Sequence, residues 1–302
     1  MATLVPPIKC QGIKTKLVPA LKQVVPSSDA LIGRWIEPFC GSLSVALNVE
    51  PIRALLSDNN IHIIRFYQAI QAGEISSASV RAHLEMEDKF LREMGQQHYN
   101  EVRKRFNQEK NPLDFLFLNR SCFNGVMRFN RHGHFNVPFC HKPERFAQSY
   151  VTKITNQVRA VEDVLRCHHW NFAAVDFRVT LSQATAEDFV YLDPPYFGRH
   201  VDYFNSWTEE DEGDLNEWLC KTPCRWALST WYSNQYRTNE SAQHWETLGY
   251  AIRKIEHFYH VGSTEELRHP MIEAVITNVK IKDEACNDLE KPDTQLELVF
   301  KM

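Results

Sequence analysis

Leu31-Ile32-Gly33-Arg34-Trp35-Ile36-Glu37-Pro38-Phe39-Cys40-Gly41-Ser42, with the apolar run at 43–49 behind it, reads as a short buried strand, a tight turn and a helix. Outward from it, Arg53-Ala54-Leu55-Leu56-Ser57-Asp58 reads as a second strand that ends in an acid, and residues 60–72 carry apolar side chains at helical spacing. One β-α-β-α unit therefore occupies 31–72. The pattern then changes. Residues 75–118 are charged and helix-favouring, and 119–145 are rich in Asn, Arg, Phe and His and look loop-like. An amphipathic helix is expected at 152–166, strands at 170–177, 189–192 and 225–230, and a helix at 209–220. Two β-rich runs, 251–261 and 272–281, close the pattern, and the tail at 283–302 carries no readable element. The simplest architecture is an α/β sheet domain built from 1–72 and 151–302, interrupted by an insertion at 73–150.

Composition narrows the class. Hydrophobic residues are 43% and charged residues 24% of the 302, an ordinary balance for a globular chain. No run of about 18 apolar residues predicts a membrane span. The first residues lack a charged-then-apolar export pattern, so a cytoplasmic location is expected. Of the eight cysteines only Cys220 and Cys224 stand close, with no second pair at ligand spacing. No metal is expected, and the cysteines read as reduced buried thiols. A net charge of −4 excludes holding nucleic acid by bulk charge. One stretch is locally basic: Arg120, Arg128, Arg131, Lys142 and Arg145, with His132, His134 and His141, stand against the single acid Glu144. Taken alone, that stretch reads as a solvated basic face. His168-His169 reads as packing, and His132-Gly133-His134 as lying near phosphate.

The chemistry concentrates in Asp193-Pro194-Pro195-Tyr196, directly after the strand Phe189-Val190-Tyr191-Leu192. An acid at the carboxyl end of a buried strand stands where open α/β sheets bind ligands. Two prolines stiffen the turn and leave it only carbonyl acceptors. An exocyclic adenine amine is a poor nucleophile because its lone pair is delocalised into the ring. A carboxylate and a rigid carbonyl that accept its two N–H bonds draw the nitrogen toward tetrahedral geometry and aim the lone pair. Tyr196 offers a face for a base taken out of the duplex. The competing reading is a plain strand-ending turn. Glu37 to Gly41 forms a second candidate site, a close-approach turn before a helix N-terminus suited to a carboxylate. Asp58, about 20 residues after Glu37, stands where an acid holds ribose hydroxyls.

Together these segments resemble the Dam-type (D12 class, alpha group) N6-adenine-specific DNA methyltransferases, over about residues 8–280 and in the family's order. Lys9-Cys10-Gln11-Gly12-Ile13-Lys14 resembles the opening K-W-A-G-G-K, Glu37 to Val45 resembles E-P-F-V-G-G-G-S-V, and Ser57-Asp58-Asn59-Asn60 resembles the acidic motif that follows. Most specific is Leu118-Asn119-Arg120-Ser121-Cys122-Phe123-Asn124-Gly125-Val126-Met127-Arg128-Phe129-Asn130. With Gly133-His134-Phe135-Asn136-Val137-Pro138-Phe139 it resembles L-N-R-x-x-Y-N-G-L-x-R-x-N…G-x-F-N-V-P-F. The loop Gly262-Ser263-Thr264 resembles part of the family's closing hairpin.

The resemblance implies a class I S-adenosylmethionine-dependent methyltransferase sheet (Rossmann-like) with a helical target-recognition insertion. S-adenosyl-L-methionine would be held by Cys10, Lys14, Glu37, Phe39, Gly41, Asp58, Asp176 and Phe177, with Asp193 shared between cofactor and catalysis. Asp193, Pro194, Pro195 and Tyr196 would form the catalytic turn. Double-stranded DNA would meet Lys9, Arg120, Phe123, Asn124, Val126, Arg128, Asn130 and Pro138. Among these, Phe123 would be an aromatic wedge, Asn124 would handle the orphaned base, and Arg128 would read a base edge. Val126 and Pro138 would meet a thymine methyl, giving a GATC-like core. A monomer suffices, and a cognate restriction endonuclease is a partner the resemblance allows. Cys10 stands where the family has an aromatic, Ser42 and Leu43 where it has glycines, and Phe123 where it has tyrosine. Other readings are the same amine chemistry on RNA or on a protein glutamine, and a non-catalytic DNA-binding module. No Gly-x-Ser-x-Gly elbow, P-loop or Gly-x-Gly-x-x-Gly loop supports a hydrolase, an NTPase or a redox enzyme.

Overall fold

In a computed structural model, residues 3–10, 12, 14–196, 207–233, 236–258 and 270–279 are described. Among them, seven strands form one sheet: β1 (Trp35–Glu37), β2 (Arg53–Ser57), β3 (His169–Ala173), β4 (Phe189–Leu192), β5 (Arg225–Ser233), β6 (Ala251–Phe258) and β7 (Pro270–Thr277). Their order across the sheet is β3-β2-β1-β4-β5-β7-β6. β1 to β5 are mutually parallel, and β7 enters antiparallel between β5 and β6. This is the sheet of a class I methyltransferase fold. The chain reverses direction across the sheet between β1 and β4, and in open α/β sheets ligands bind at such a switch point beyond the strand carboxyl ends.

The helices pack on both faces. α1 (Val18–Leu21) precedes β1, and α2 (Ala46–Val49) and α3 (Ile61–Gln71) follow β1 and β2. α4 (Ser77–Met94), α5 (Gln96–Glu109) and α6 (Pro112–Ser121) come next, then α7 (Gln148–Cys167). α8 (Phe177–Leu181), α9 (Glu209–Lys221) and α10 (Glu240–Thr247) alternate with the later strands. α4 is closed by a capping box between Ser76 and Ser79, and the Asn111 side chain caps α6 just before Pro112. One core runs from Trp35 and Tyr191 through α3 into Phe106, Phe115 and Phe117, so the sheet and the helices of 77–121 share a continuous interior. At its edge the half-exposed Arg105 bonds both buried acids, Asp114 and Glu87, while His83 and His98 complete the cluster. The guanidinium answers both buried acids, as buried charges require.

Several boundaries differ from the sequence reading. The first strand spans three residues rather than 31–39, because Pro38 has no N–H with which to continue a ladder. The helix expected at 43–49 is a single turn, bounded by Glu50 in the left-handed region and by Pro51. The strand expected at 170–177 ends at Ala173, because the Asp176 side chain turns back to cap the N–H of Arg178 and starts α8. The last two strands are Ala251–Phe258 and Pro270–Thr277, and the Gly262-Ser263-Thr264 loop and the tail at 283–302 lie outside the described residues. Cys167 and Cys220 are exposed, contrary to the buried-thiol expectation. His169 is exposed too, whereas His168 leans on Trp170 and bonds the Val164 carbonyl. Among the described residues no helix is long and apolar enough to cross a membrane.

The turn after β1 carries an unusual residue. Leu43 has φ 63°, in the left-handed region that favours glycine, and is fully buried. Its N–H bonds the Cys40 carbonyl at 2.7 Å, so the turn keeps the left-handed step although the side chain is leucine. The strain is on the order of 1–2 kcal/mol. Truncating a buried leucine costs about 2–5 kcal/mol. Leu43→Gly is therefore expected to lose about 1–4 kcal/mol in urea unfolding. A gain in stability would show that strain, not packing, dominates the turn.

Candidate active site and DNA face

β4 delivers Asp193 to the sheet's carboxyl edge. The Lys14 ammonium donates to its Oδ1 at 2.8 Å and to the Gly12 carbonyl at 3.0 Å, and stands 5.2 Å from the centroid of the Tyr196 ring. Lys14 is 3% exposed. Burial pulls its pKa down, but the carboxylates and phenols around it, Asp193 first, hold it well above the ordinary lysine value. Below the turn, Tyr191 shares a 2.8 Å hydrogen bond with Ser229. Tyr196 is itself buried against Trp231. The sequence-expected Asp193, Pro194, Pro195 and Tyr196 thus lie in one turn, with Lys14 brought from 179 residues earlier to pair with the acid.

Burial pushes Asp193 up to about 6, against the downward pull of Lys14. Glu37 is pushed up to about 8, again by burial, although the Trp35 indole donates to it at 3.0 Å. Two consequences oppose each other. An acceptor carboxylate must be ionised, so the rate of any reaction that uses Asp193 as acceptor should rise as pH passes upward through about 6. Both acids have folded values above their unfolded ones, so their contribution to stability is complete below about pH 4 and is lost as pH rises through about 6 and about 8. Thermal midpoints of the protein alone should therefore fall from pH 5 to pH 8 while the initial rate climbs from pH 5 to 7. A rate that is flat over that range would remove Asp193 from the titrating role.

The candidate cofactor residues surround the turn after β1. The Gly41 N–H donates to Asp58 Oδ2 at 2.9 Å, and the Asn60 N–H donates to Oδ1 at 2.8 Å. Asp58 thereby locks the turn to the end of β2. Gly41 has φ 45°, and a Cβ placed there would meet only Cys10 Sγ at 3.9 Å, so the turn is open to a close neighbour. Phe39, Phe177 and Trp207 form an aromatic trio with centroids 5.3–5.6 Å apart. Asp176 caps α8 beside them. Glu37 is turned inward onto Trp35 instead, behind the loop. α2 is too short to act as a dipole-bearing N-terminus, so the acid, the open glycine and the aromatic wall remain as the fitting features. They suit an adenosyl group with a cationic centre.

The candidate DNA residues gather where the irregular N-terminal segment around Lys9 meets the turn after α6. Asn119 joins them: it accepts from the Lys9 N–H at 2.8 Å and donates to the Lys9 carbonyl at 2.9 Å. Gly125 lies against the same lysine, where a Cβ would sit 2.6 Å from Lys9 Cδ, so a larger residue would displace the lysine side chain and strain the backbone at φ 67°. Phe123 is 53% exposed, next to Asn124 in the left-handed region, and its N–H bonds the Pro138 carbonyl at 2.9 Å. An exposed phenylalanine held on a fixed turn is available to a partner. Val126 is partly buried nearby, and Arg128 reaches Asn136 at 3.0 Å. Asn130 shapes the hairpin tip, its side-chain oxygen accepting from the N–H groups of His132 and His134. Arg120 is not part of this face. It is 4% exposed, bonded to Gln157 and stacked on Tyr150, an interior guanidinium where the sequence placed a DNA contact.

Sequence reasoning missed Glu273, Trp231, Trp207 and the bridging role of Asn119. For Glu273 a signal existed: it is the one acid in the apolar run Met271-Ile272-Glu273-Ala274-Val275-Ile276.

Comparison with known proteins agrees with this geometry. The family model described as D12 class N6 adenine-specific DNA methyltransferase matches residues 11–264. Modification methylase StsI of Streptococcus sanguinis is 27% identical over 292 residues, covering 91% of this chain and 43% of that protein. Type II methyltransferase M.FokI of Planomicrobium okeanokoites is 27% identical, covering 90% of this chain and 42% of that protein. The chain thus spans less than half the length of these two relatives. A DNA adenine methylase of Serratia marcescens is 33% identical over 195 residues, covering 63% of this chain and 66% of that protein. With the match extending over most of its length, from just ahead of Lys14 to beyond the Asp193 turn, the chain belongs to the D12 class N6 adenine-specific DNA methyltransferases.

Proposed function

We propose that this chain transfers a methyl group from S-adenosyl-L-methionine to N6 of an adenine flipped out of a short duplex DNA sequence with a GATC-like core. The observation that carries the reading is the Lys14–Asp193 pair at the end of β4, set between the Pro194-Pro195 turn and the Tyr196 ring. The cofactor, when bound, supplies an electrophilic methyl on a sulfonium. Asp193 and the Pro194 carbonyl accept the two N6–H bonds and aim the lone pair, and Tyr196 stacks on the base. The surplus proton passes to water. Cys10, Gly41, Asp58, Asp176 and Phe177 hold the cofactor. Residues 73–150 read the target: Phe123 wedges into the duplex, Asn124 handles the orphaned base, and Lys9, Val126, Arg128 and Pro138 meet base edges. One site serves one adenine on each strand, so a monomer suffices. StsI is named a modification methylase, which supports a place beside a restriction endonuclease.

The test is single-molecule sequencing of plasmid DNA from cells expressing the chain, beside Asp193→Asn. N6-methyladenine confined to one motif and lost in the variant is the expected result. Methylation only within a longer sequence would replace the GATC-like core, and none in either sample would overturn the DNA reading.

A further inference from the structure

Glu273 lies on β7, one strand in from the β6 edge of the sheet, and is 1% exposed among apolar neighbours along the strand. A buried acid in such a strand is unfavourable unless something uses it. Its place is fixed by register. Glu273 pairs with Trp231 on β5 and with Ile255 on β6, and cross-strand partners share a face. On that face Trp231 packs on Tyr196, and Ser229, two residues back along β5, bonds Tyr191. Val275 joins the core on the same side, whereas Ala274 and Ile276 join the core on the other. Glu273 therefore points toward the reaction centre, where its charge acts on Lys14, Asp193 and Tyr196.

The charge balance gives this placement a purpose. Lys14 paired with Asp193 alone would cancel, and a cancelled pair is a poor electrostatic partner for an amine that becomes cationic as it accepts a methyl. Among the described residues, the ionisable groups that act on or feel Asp193 are Lys14, Glu273, Glu37, Tyr191 and Tyr196. Lys14 is the one cation among them, so a second carboxylate tips the balance toward negative charge. Such fixed charge favours positive charge moving from sulfur to N6. We infer that Glu273 is a positioning residue of the reaction centre, a second carboxylate that shares the Lys14 ammonium with Asp193 and leaves a net negative field at the amine. The inference rests on the reading of Asp193 as the N6–H acceptor.

Single-turnover methylation of a duplex oligonucleotide, measured from pH 5 to 9 in full-length wild type, Glu273→Gln, Glu273→Asp and Asp193→Asn, tests it. Gln keeps the volume and removes the charge. The expected rate loss is about 10- to 100-fold at pH 7, the scale of one preorganised electrostatic partner. DNA affinity should not change, and the thermal midpoint without cofactor should hold or rise, because two buried carboxylates no longer repel. The acid limb of the rate should move to lower pH, since Glu273 pushes Asp193 up. Glu273→Asp should restore most of the rate and return the limb toward wild type. A Gln variant within about threefold of the wild-type rate overturns the inference. So does a fallen midpoint with an unmoved limb, the signature of a purely structural acid, or an Asp variant as slow as Gln. If Asp193→Asn itself is active, the reading of Asp193 fails instead, and that is seen separately.

Discussion

Asp193→Asn is expected to lower the rate of methyl transfer by about 10²–10³-fold while DNA affinity stays within about twofold, because a preorganised acceptor acts at the transition state and not in binding. The carboxamide matches the carboxylate in shape but presents N–H donors where two lone-pair acceptors stood. It must then face either the Lys14 ammonium, 2.8 Å away in the wild type, or the substrate amine. One donor-to-donor contact is unavoidable in either flip. The fold should survive, since Lys14 keeps the Gly12 carbonyl and the Tyr196 ring. Circular dichroism and a binding isotherm with unmethylated duplex control for that. A variant within tenfold of the wild-type rate would mean that the Pro194 carbonyl and stacking suffice and that Asp193 serves only to anchor Lys14.

Lys14→Met should have the second-largest effect, with a different signature. The methionine fills the buried stem but withdraws the ammonium that holds Asp193 ionised against desolvation. Stranding one member of a buried pair costs about 3–5 kcal/mol. The Asp193 side chain is 20% exposed, so about 1–3 kcal/mol is the reasonable range here. Without the ammonium the carboxyl is pushed further up, and the acid limb of the rate should move to higher pH. The loss at pH 6 is then larger than at pH 9, with at least a tenfold drop near neutrality. This is opposite to the shift expected for Glu273→Gln, so the two variants bracket Asp193 from either side. A loss that is the same at every pH would show that Lys14 acts on the cofactor alone.

How much of this was legible beforehand differs between the two halves of the site. Local chemistry wrote the candidate turn at Asp193 into the sequence. A four-residue apolar strand followed by an acid and two prolines has few ways to fold, and Phe189–Leu192 is the strand expected. The α/β class followed from the alternation of short apolar runs with helical spacing, because burial on one or both faces imposes those periods. Asp58 at the end of β2 was readable for the same reason. Boundaries were less legible where a single side chain decided them. Asp176 could continue a strand or cap a helix, and the choice went to the cap because the N–H of Arg178 needed an acceptor.

What depends on distance along the chain was decided by tertiary structure. Arg120 stands in a basic stretch and reads as a phosphate contact, yet α6 turns it inward onto Gln157 and Tyr150, since only packing determines which face of that helix meets α7. Leu43 reads as a departure from a glycine turn, and its left-handed backbone is tolerated because the surrounding core encloses the side chain. The partnership of Lys14 with Asp193 joins residues far apart in sequence, and the approach of Glu273 to them is set by how β7 registers on β5. Sequence alone determined the sheet class and pointed to the Asp193 turn as the candidate for chemistry, because periodicity and stereochemistry act over a few residues. Which charges meet at that turn was left to the fold, because Coulomb interaction and desolvation depend on distances and burial that exist only once the strands are paired.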